Sequence, residues 1–298
     1  MMRELFILVA VCLMTGCEFA SATFSGHRAL SEVEALVEIS PRDSGTPGAK
    51  RAAYHIASRL QSFGYDARVD LFLSNTPAGE TPFFNVTAEL KGLSDEWIVL
   101  GSHFDTKRGI GPDFQGANDS GSSTGLLIEL ARALRYKKPE CSILFAFFDG
   151  EECMVKYSER DGLHGSRHLA KRLAAEERKV AGVIIVDMVG DKDLSLTIPS
   201  NVHYPLLGHL FDAAQEMGCR DKLMMIGNMI DDHRPFMEAG FPAINLIDFQ
   251  YGSVPGLNDY WHTREDSLDK LSEDSLQLVG DLVLNVIGRI KPEPDFPF

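Results

Sequence analysis

The chain has 298 residues, 44% apolar and 24% charged, an ordinary globular balance that excludes both a disordered polypeptide and one that spans lipid throughout. With 29 basic and 43 acidic residues its formal net charge is −14, which argues against nucleic acid as a partner because no basic patch is available to neutralise phosphates. The same excess of acid disfavours acidic peptides as ligands.

The first residues belong to export rather than to the fold. Arg3 precedes an apolar run over 5–14, too short to span a bilayer as a stable helix. Two processing readings stand side by side. Thr15-Gly16-Cys17 resembles a lipobox, which would make 1–16 a lipoprotein signal and leave a lipidated Cys17 as membrane anchor. Ala20-Ser21-Ala22 is instead an A-x-A cleavage site, which would make 1–22 a signal peptide and the product periplasmic or secreted. Either way, residues 23–298 form the working domain. Cys12 and Cys17 lie in the leader, leaving Cys141, Cys153 and Cys219, an odd number without C-x-x-C spacing that argues against a disulfide framework.

Along the chain, apolar spacing predicts helices over 27–39 and 49–63, the second opening after Gly45-Thr46-Pro47-Gly48. Strands follow at 67–72, 84–90 and 97–102, then a helix over 121–136. Residues 142–148 and 180–186 are continuous apolar strands of the kind buried on both faces of a parallel sheet. A short helix at 235–239 precedes a third such strand at 243–247, an amphipathic helix covers 273–290, and the Pro-rich end at 291–298 is expected to run extended. The alternation implies an α/β fold: a single domain with a mostly parallel central sheet covered by helices on both faces. In such sheets ligands bind at the carboxyl ends of the strands.

Polar residues collect just after those ends. His103-Phe104-Asp105, Asn118-Asp119, Asp149-Gly150-Glu151-Glu152 and Asp187 follow strands, and Trp261-His262 lies in a late loop. Each is weak alone, since a lone His is usually structural and Asp119 before a helix serves equally well as a cap. Glu151-Glu152 is more telling, because two adjacent carboxylates after a buried strand repel each other and lose solvation. A cation offsets that cost: one carboxylate ligates while its neighbour stays free as general base. Oxygen and imidazole donors without thiolates suit catalytic zinc.

The ordered series His103-x-Asp105, Asp119, Glu151-Glu152, Asp187 and His262 resembles the zinc-dependent aminopeptidases of the Zn-exopeptidase group, which includes the glutaminyl-peptide cyclotransferases. The resemblance spans about 41–290 and implies a Zn-exopeptidase-like (phosphorylase/hydrolase-like) fold acting on peptide or protein N-termini. In the dinuclear pattern it implies, Asp119 bridges two zinc ions, His103 and Asp187 complete one site, Glu152 and His262 the other, Glu151 is the base, and Asp105 orients His103. The cyclotransferase pattern uses one zinc, held by Asp119, Glu152 and His262. It adds Asp187 and Asp231 as catalytic carboxyls hydrogen-bonded to Glu151, and Trp261 and Tyr157 as pocket walls.

The segments Asp161-Gly162-Leu163-His164-Gly165-Ser166 and Asp231-Asp232-His233-Arg234-Pro235-Phe236, together with Trp261 before His262, resemble the cyclotransferases. The expectation is therefore a zinc-dependent glutaminyl-peptide cyclotransferase that converts N-terminal glutamine to pyroglutamate with loss of ammonia. The alternative is a dinuclear zinc aminopeptidase. Departures from the animal cyclotransferases are Tyr157 where they carry tryptophan, Asn245 where they carry histidine and Ser102 in place of a disulfide cysteine. For Tyr157 and Trp261 a plain core role stays open, as does helix capping for Asp232 and His233. Two rivals have other chemistry. Gly121-Ser122-Ser123-Thr124-Gly125 matches the serine-hydrolase elbow but follows a polar loop rather than a strand. A metal-free binding module on this fold would be expected to have lost some ligands, and none is lost here.

Overall fold

The computed structural model describes residues 23–292. Helices α1 (Gly26–Val37) and α2 (Pro47–Ser62) lead into a hairpin of β1 (Arg68–Thr76) and β2 (Gly79–Leu90). Then come β3 (Trp97–His103), α3 (Ser123–Leu134), β4 (Ser142–Phe148), α4 (His164–Ala175) and β5 (Val180–Asp187). The chain continues through β6 (Leu196–Pro199), α5 (Tyr204–Glu216), β7 (Leu223–Ile226), α6 (His233–Glu238), β8 (Ala243–Ile247) and α7 (Glu273–Arg289).

The eight strands form one sheet in the order β1-β2-β4-β3-β5-β8-β6-β7. Its centre, β4-β3-β5-β8, is parallel as expected. The edges make the sheet mixed: β2 runs antiparallel to β4, and β6 antiparallel to β8. At one edge the cause is local, because only Pro77 and Ala78 separate β1 from β2, and so short a connection can join only antiparallel strands.

Alternation along the strands divides the core between the two faces. Ile98 and Leu100 of β3, Phe145 and Phe147 of β4 and Ile184 of β5 pack beneath α1, α2, α3, α5 and α7. Their neighbours Trp97, Val99, Leu144, Phe148 and Ile185 meet Leu169 and Leu173 of α4 and Phe236 of α6 on the other face. Helix α2 starts where its sequence says it should: Pro47 occupies the first turn, and the Thr46 hydroxyl accepts from the amides of Gly48 and Ala49. Helix α7 is capped by Ser272, with Glu273 and Asp274 in its first turn and Arg289 in its last, in the sense the helix dipole favours.

Three features differ from the sequence expectation. The helix anticipated from 121 becomes α-helical only at Ser123, because Ala117–Ser122 forms a wider π-type turn interrupted at Asp119. Helices α4 and α5 are additional. The buried face of α4 mixes His164, Gly165 and Ser166 with Leu169 and Leu173, whereas α5 buries a regular stripe of Leu206, Leu207, Leu210, Ala213 and Ala214 that the sequence expectation left out. Strands β6 and β7 have four residues each, too few to show a period. Cys141, Cys153 and Cys219 are free and buried. No described helix is long and apolar enough to cross a membrane. The leader readings at 1–22, Cys17 included, and the end of the tail at 293–298 lie outside the described residues.

Helices α1 and α3 approach so closely that a Cβ on Gly125 would lie 2.7 Å from the Ala29 carbonyl oxygen and 2.9 Å from the Val33 amide nitrogen. Backbone atoms cannot yield as a side chain can. Gly125→Leu is expected to destabilise the fold by about 1–3 kcal/mol, seen as a lower urea midpoint in a circular-dichroism titration.

Candidate metal centre and active site

Parallel pairing sets the first groups of the site. His103 closes β3 opposite Phe148, the last residue of β4, so the turn Asp149-Gly150-Glu151-Glu152 emerges beside it. Asp187 closes β5, the strand on the other side of β3. The π-type turn before α3 brings in Asp119, and the loop after β8 brings in His262. All are buried except His262, whose side chain is 19% exposed.

Two groups of donors result: His103, Asp119 and Asp187, and Asp119, Glu152 and His262, with the ligand atoms of each group within 4.8 Å of one another. Asp119 belongs to both. Its Oδ1 lies 3.3 Å from His103 Nε2, and its Oδ2 lies 3.3 Å from His262 Nε2. His103 Nε2 is also 3.3 Å from Asp187 Oδ1, and His262 Nε2 is 2.8 Å from Glu152 Oε1. His103 Nε2 and Asp187 Oδ1 are buried without a hydrogen-bond partner, which is costly unless a cation takes their lone pairs. These imidazole and carboxylate donors suit a metal such as zinc.

The electrostatics say the same. Burial raises Glu151 well above the usual carboxylate range, and Glu152, Asp231 and Asp232 push it further against the pull of His103. Burial lifts Asp187 to about 7, with Asp231 and Asp119 adding to the rise and His103 opposing it. Burial opposes protonation of His262, yet its contacts with Asp119 and Glu152 raise it to about 9. His103 is raised well above its ordinary value, because Asp187, Asp105 and Asp119 overcome its burial. Without a metal, protonated imidazoles supply the positive charge these acids require; a bound cation supplies it instead and leaves both histidines neutral as ligands.

Beside the donors lies a small cleft of about 100 Å³, lined by Glu151, Tyr157, Asp187, Asp231, Phe249 and Trp261 among others. Trp261 stacks on His262 with ring centroids 3.8 Å apart and meets Phe249 edge to face at 5.1 Å. Tyr157 also lines the cleft, and Trp261 packs besides against the Met188, Ile247 and Tyr251 cluster.

These observations have a counterpart in sequence families. The sequence model of peptidase family M28 matches residues 85–287. The chain belongs to that family. The glutaminyl-peptide cyclotransferase of Bos taurus is 30% identical over 280 residues, covering 80% of this chain and 76% of that protein. A glutaminyl cyclase from an Acidobacteriales bacterium superposes with a TM-score of 0.85 at 35% identity, covering 92% of this chain and 97% of the other. A Zn-dependent exopeptidase from Parabacteroides distasonis gives 0.79 at 25% identity, over 89% and 98% of the two chains. The Zn-exopeptidase-like fold inferred from the motifs is thus the fold of this M28 enzyme.

Every site residue named from the sequence lies at this one edge, but some partners differ. Glu151 takes its hydrogen bonds from the Tyr157 hydroxyl, at 2.9 and 3.1 Å to its two oxygens, and none from Asp187 or Asp231. Asp187 faces His103. Asp231 accepts from Asn245 Nδ2 at 2.5 Å and from the Asp232 amide, and acts on Glu151 through its charge alone. Asp232 begins α6 without a side-chain capping bond, and His233 Nε2 lies 3.1 Å from Asn201 Nδ2. Ser123 of the G-x-S-x-G match is wholly buried and hydrogen-bonded to Ser102 and the Ser120 carbonyl, and among the described residues no histidine or carboxylate hydrogen-bonds to it. Cys153 packs behind Glu152, 3.4 Å from Lys107 Nζ.

Asp105 Oδ1 stands 3.4 Å from His103 Nδ1, a nitrogen left without a hydrogen-bond partner. Asp105 accepts from the amides of Glu151 and Glu152 at 3.1 and 3.2 Å and from Ser44 Oγ at 3.0 Å, tying the β3 end to the β4 turn. Three supporting residues escape the motif reading. Asp266 accepts from the amides of Asn118 and Asp119 at 2.7 and 3.2 Å, fixing the bridging turn. Lys107 places Nζ 3.3 Å from Glu152 Oε2. Arg42, wholly buried, donates to the carbonyls of Phe104, Gln115 and Gly116 at 2.8, 2.9 and 2.9 Å. Lys107 and Asp266 sit near ligand motifs, where a charge is a usable signal; nothing local marks Arg42.

Burial lowers Arg42 to about 10, with Asp266, Asp105 and Asp119 opposing the drop, so it remains a cation beneath the site. Arg42→Met would strand three carbonyls and remove that charge. It is expected to cost about 3–5 kcal/mol in chemical denaturation.

Proposed function

We propose that this M28 enzyme is a zinc-dependent glutaminyl-peptide cyclotransferase, converting N-terminal glutamine of peptides or proteins to pyroglutamate with release of ammonia. The observation that carries the reading is the small cleft, with room for little more than one side chain, beside the Asp119, Glu152 and His262 donors and walled by Glu151, Asp231 and Trp261. The named cyclotransferase and cyclase relatives support it.

Zinc held by Asp119, Glu152 and His262 would polarise the carbonyl of the substrate's side-chain amide. Glu151 takes a proton from the substrate's α-amine, whose nitrogen then bonds to the amide carbon and closes a five-membered lactam. The carbon–nitrogen bond to the amide NH2 breaks, and Glu151 returns the proton so that ammonia departs. Burial and the neighbouring carboxyls of Glu152, Asp231 and Asp232 raise the proton affinity of Glu151, as a base requires. Trp261 and Phe249 exclude water from the glutamine side chain, which favours closure over hydrolysis.

A second reading rests on a specific observation. The His103, Asp119 and Asp187 group offers a further set of donors sharing Asp119, as a two-zinc aminopeptidase requires. There Glu151 would activate water rather than an amine. The leader supports an exported product, anchored through Cys17 or released after Ala22.

Purified protein is expected to carry one zinc per chain and to release ammonia from a glutamine-led peptide while leaving a leucine-led peptide intact. Two zincs with release of free leucine would establish the aminopeptidase instead. Glu151→Gln should keep the zinc and lose about 10²- to 10⁴-fold in turnover; substantial residual activity removes Glu151 as the base.

A further inference from the structure

The phenol of Tyr157 touches the proposed base directly. Its hydroxyl stands 2.9 Å from one Glu151 oxygen and 3.1 Å from the other, a nearly symmetric donation across the carboxylate. Among the described residues this is the only hydrogen bond to the Glu151 side chain.

The loop that carries Tyr157 is built to hold it there. Asp161 accepts from the amides of Met154, Val155 and Lys156 at 2.5, 2.8 and 2.8 Å, so one carboxylate gathers the strand of chain before Tyr157. Ser158 and Asp161 exchange backbone hydrogen bonds just after it. Gly162, at φ +80°, lies so close that a Cβ there would come 2.5 Å from Tyr157 Cδ1 and 2.9 Å from the Glu151 carbonyl oxygen. The Leu163 amide donates to that same carbonyl at 3.0 Å. The ring and the Glu151 backbone are thus locked to one turn, and the hydroxyl meets the carboxylate without freedom to drift.

We infer that Tyr157 is the positioning residue for Glu151, its hydroxyl fixing the carboxylate plane through both proton transfers. This rests on the assignment of Glu151 as base. While Glu151 is ionised, the single phenolic hydrogen is shared by both oxygens and leaves each a free lone pair toward the cleft. Once one oxygen has taken the amine proton, the phenol donates to the other, and the carboxyl keeps the same rotamer until the proton passes to the departing nitrogen. No atom of Tyr157 is consumed or transferred. A base that must re-find its orientation between the two transfers is slow, whereas binding of substrate is indifferent to it.

Tyr157→Phe isolates the hydroxyl, because the ring that packs on Gly162 is kept. Parent and variant are assayed on the glutamine-led and the leucine-led peptide, with zinc content and thermal unfolding measured on both proteins. The expected result is a fall in kcat of about 10- to 100-fold with KM within about twofold, zinc and melting temperature unchanged. Parent-like kcat in the variant overturns the inference, as does a kcat loss matched by an equal rise in KM or accompanied by loss of zinc. Because Glu151 is the base in either reaction, the choice of peptide by the parent tests the proposed function separately: leucine release by the parent sinks cyclization while the Tyr157 comparison still decides. A parent inactive on both peptides overturns both.

Discussion

Negative charge buried at the carboxyl ends of β3, β4 and β5 is the constraint around which the rest of this molecule is arranged. Asp119, Glu151, Glu152, Asp187, Asp231 and Asp232 are each less than 8% exposed, and ions in such surroundings are costly unless paired. The fold answers with fixed cations and donors: Arg42 beneath, Lys107 beside Glu152, the histidines between the acids, and backbone amides on Asp105 and Asp266. Among the described residues, the buried atoms these groups leave without a hydrogen-bond partner include His103 Nε2, Asp187 Oδ1 and Glu152 Oε2 of the donor groups, and both carboxylate oxygens of Asp232. A scaffold that neutralised its acids completely would have nothing left with which to hold a metal.

The sheet makes such an arrangement tolerable. Continuous apolar strands at the centre are buried on both faces, so His103, Asp187 and the Glu151 turn stand on adjacent hydrogen-bonded strands of the core. Two of the groups arriving from loops are tied back by a carboxylate: Asp119 through Asp266, and the Tyr157 loop through Asp161. Acidic side chains accepting backbone amides thus act as fasteners throughout the site. They combine two needs, because an acceptor of amide hydrogen bonds is also a stable form of buried negative charge.

Much of this was legible in the residues. The parallel core was visible because 142–148 and 180–186 are uninterrupted apolar runs, and His103, Glu152 and Asp187 stood out because they follow such strands, whereas Asp119 lies in a turn and His262 in a loop, and only the family resemblance marked them as ligands. What escaped reading has physical causes. β6 and β7 are shorter than the period that would reveal them, and α4 spends buried positions on His164 and Gly165 for close packing near Gly150. Arg42 contacts carbonyls of residues more than sixty positions away, a relation invisible to any local pattern. The expected bonds from Asp187 and Asp231 to Glu151 illustrate the same limit: composition of a site can be read from motifs, whereas the pairing inside it depends on rotamers chosen by neighbours such as Asn245 and Tyr157.

The position of Asp119 across both donor groups has a consequence for stoichiometry. With one oxygen turned to His103 and the other to His262, a single carboxylate is shared by two adjoining donor groups, which Asp187 and Glu152 otherwise supply with one carboxylate each. A dication in one half draws on the charge that would attract a dication to the other, and the two would repel across a few ångströms. Occupancy in such a pair is antagonistic by construction. The number of ions such a pair would hold then depends on how much of the surrounding acid stays ionised as well as on the count of ligands.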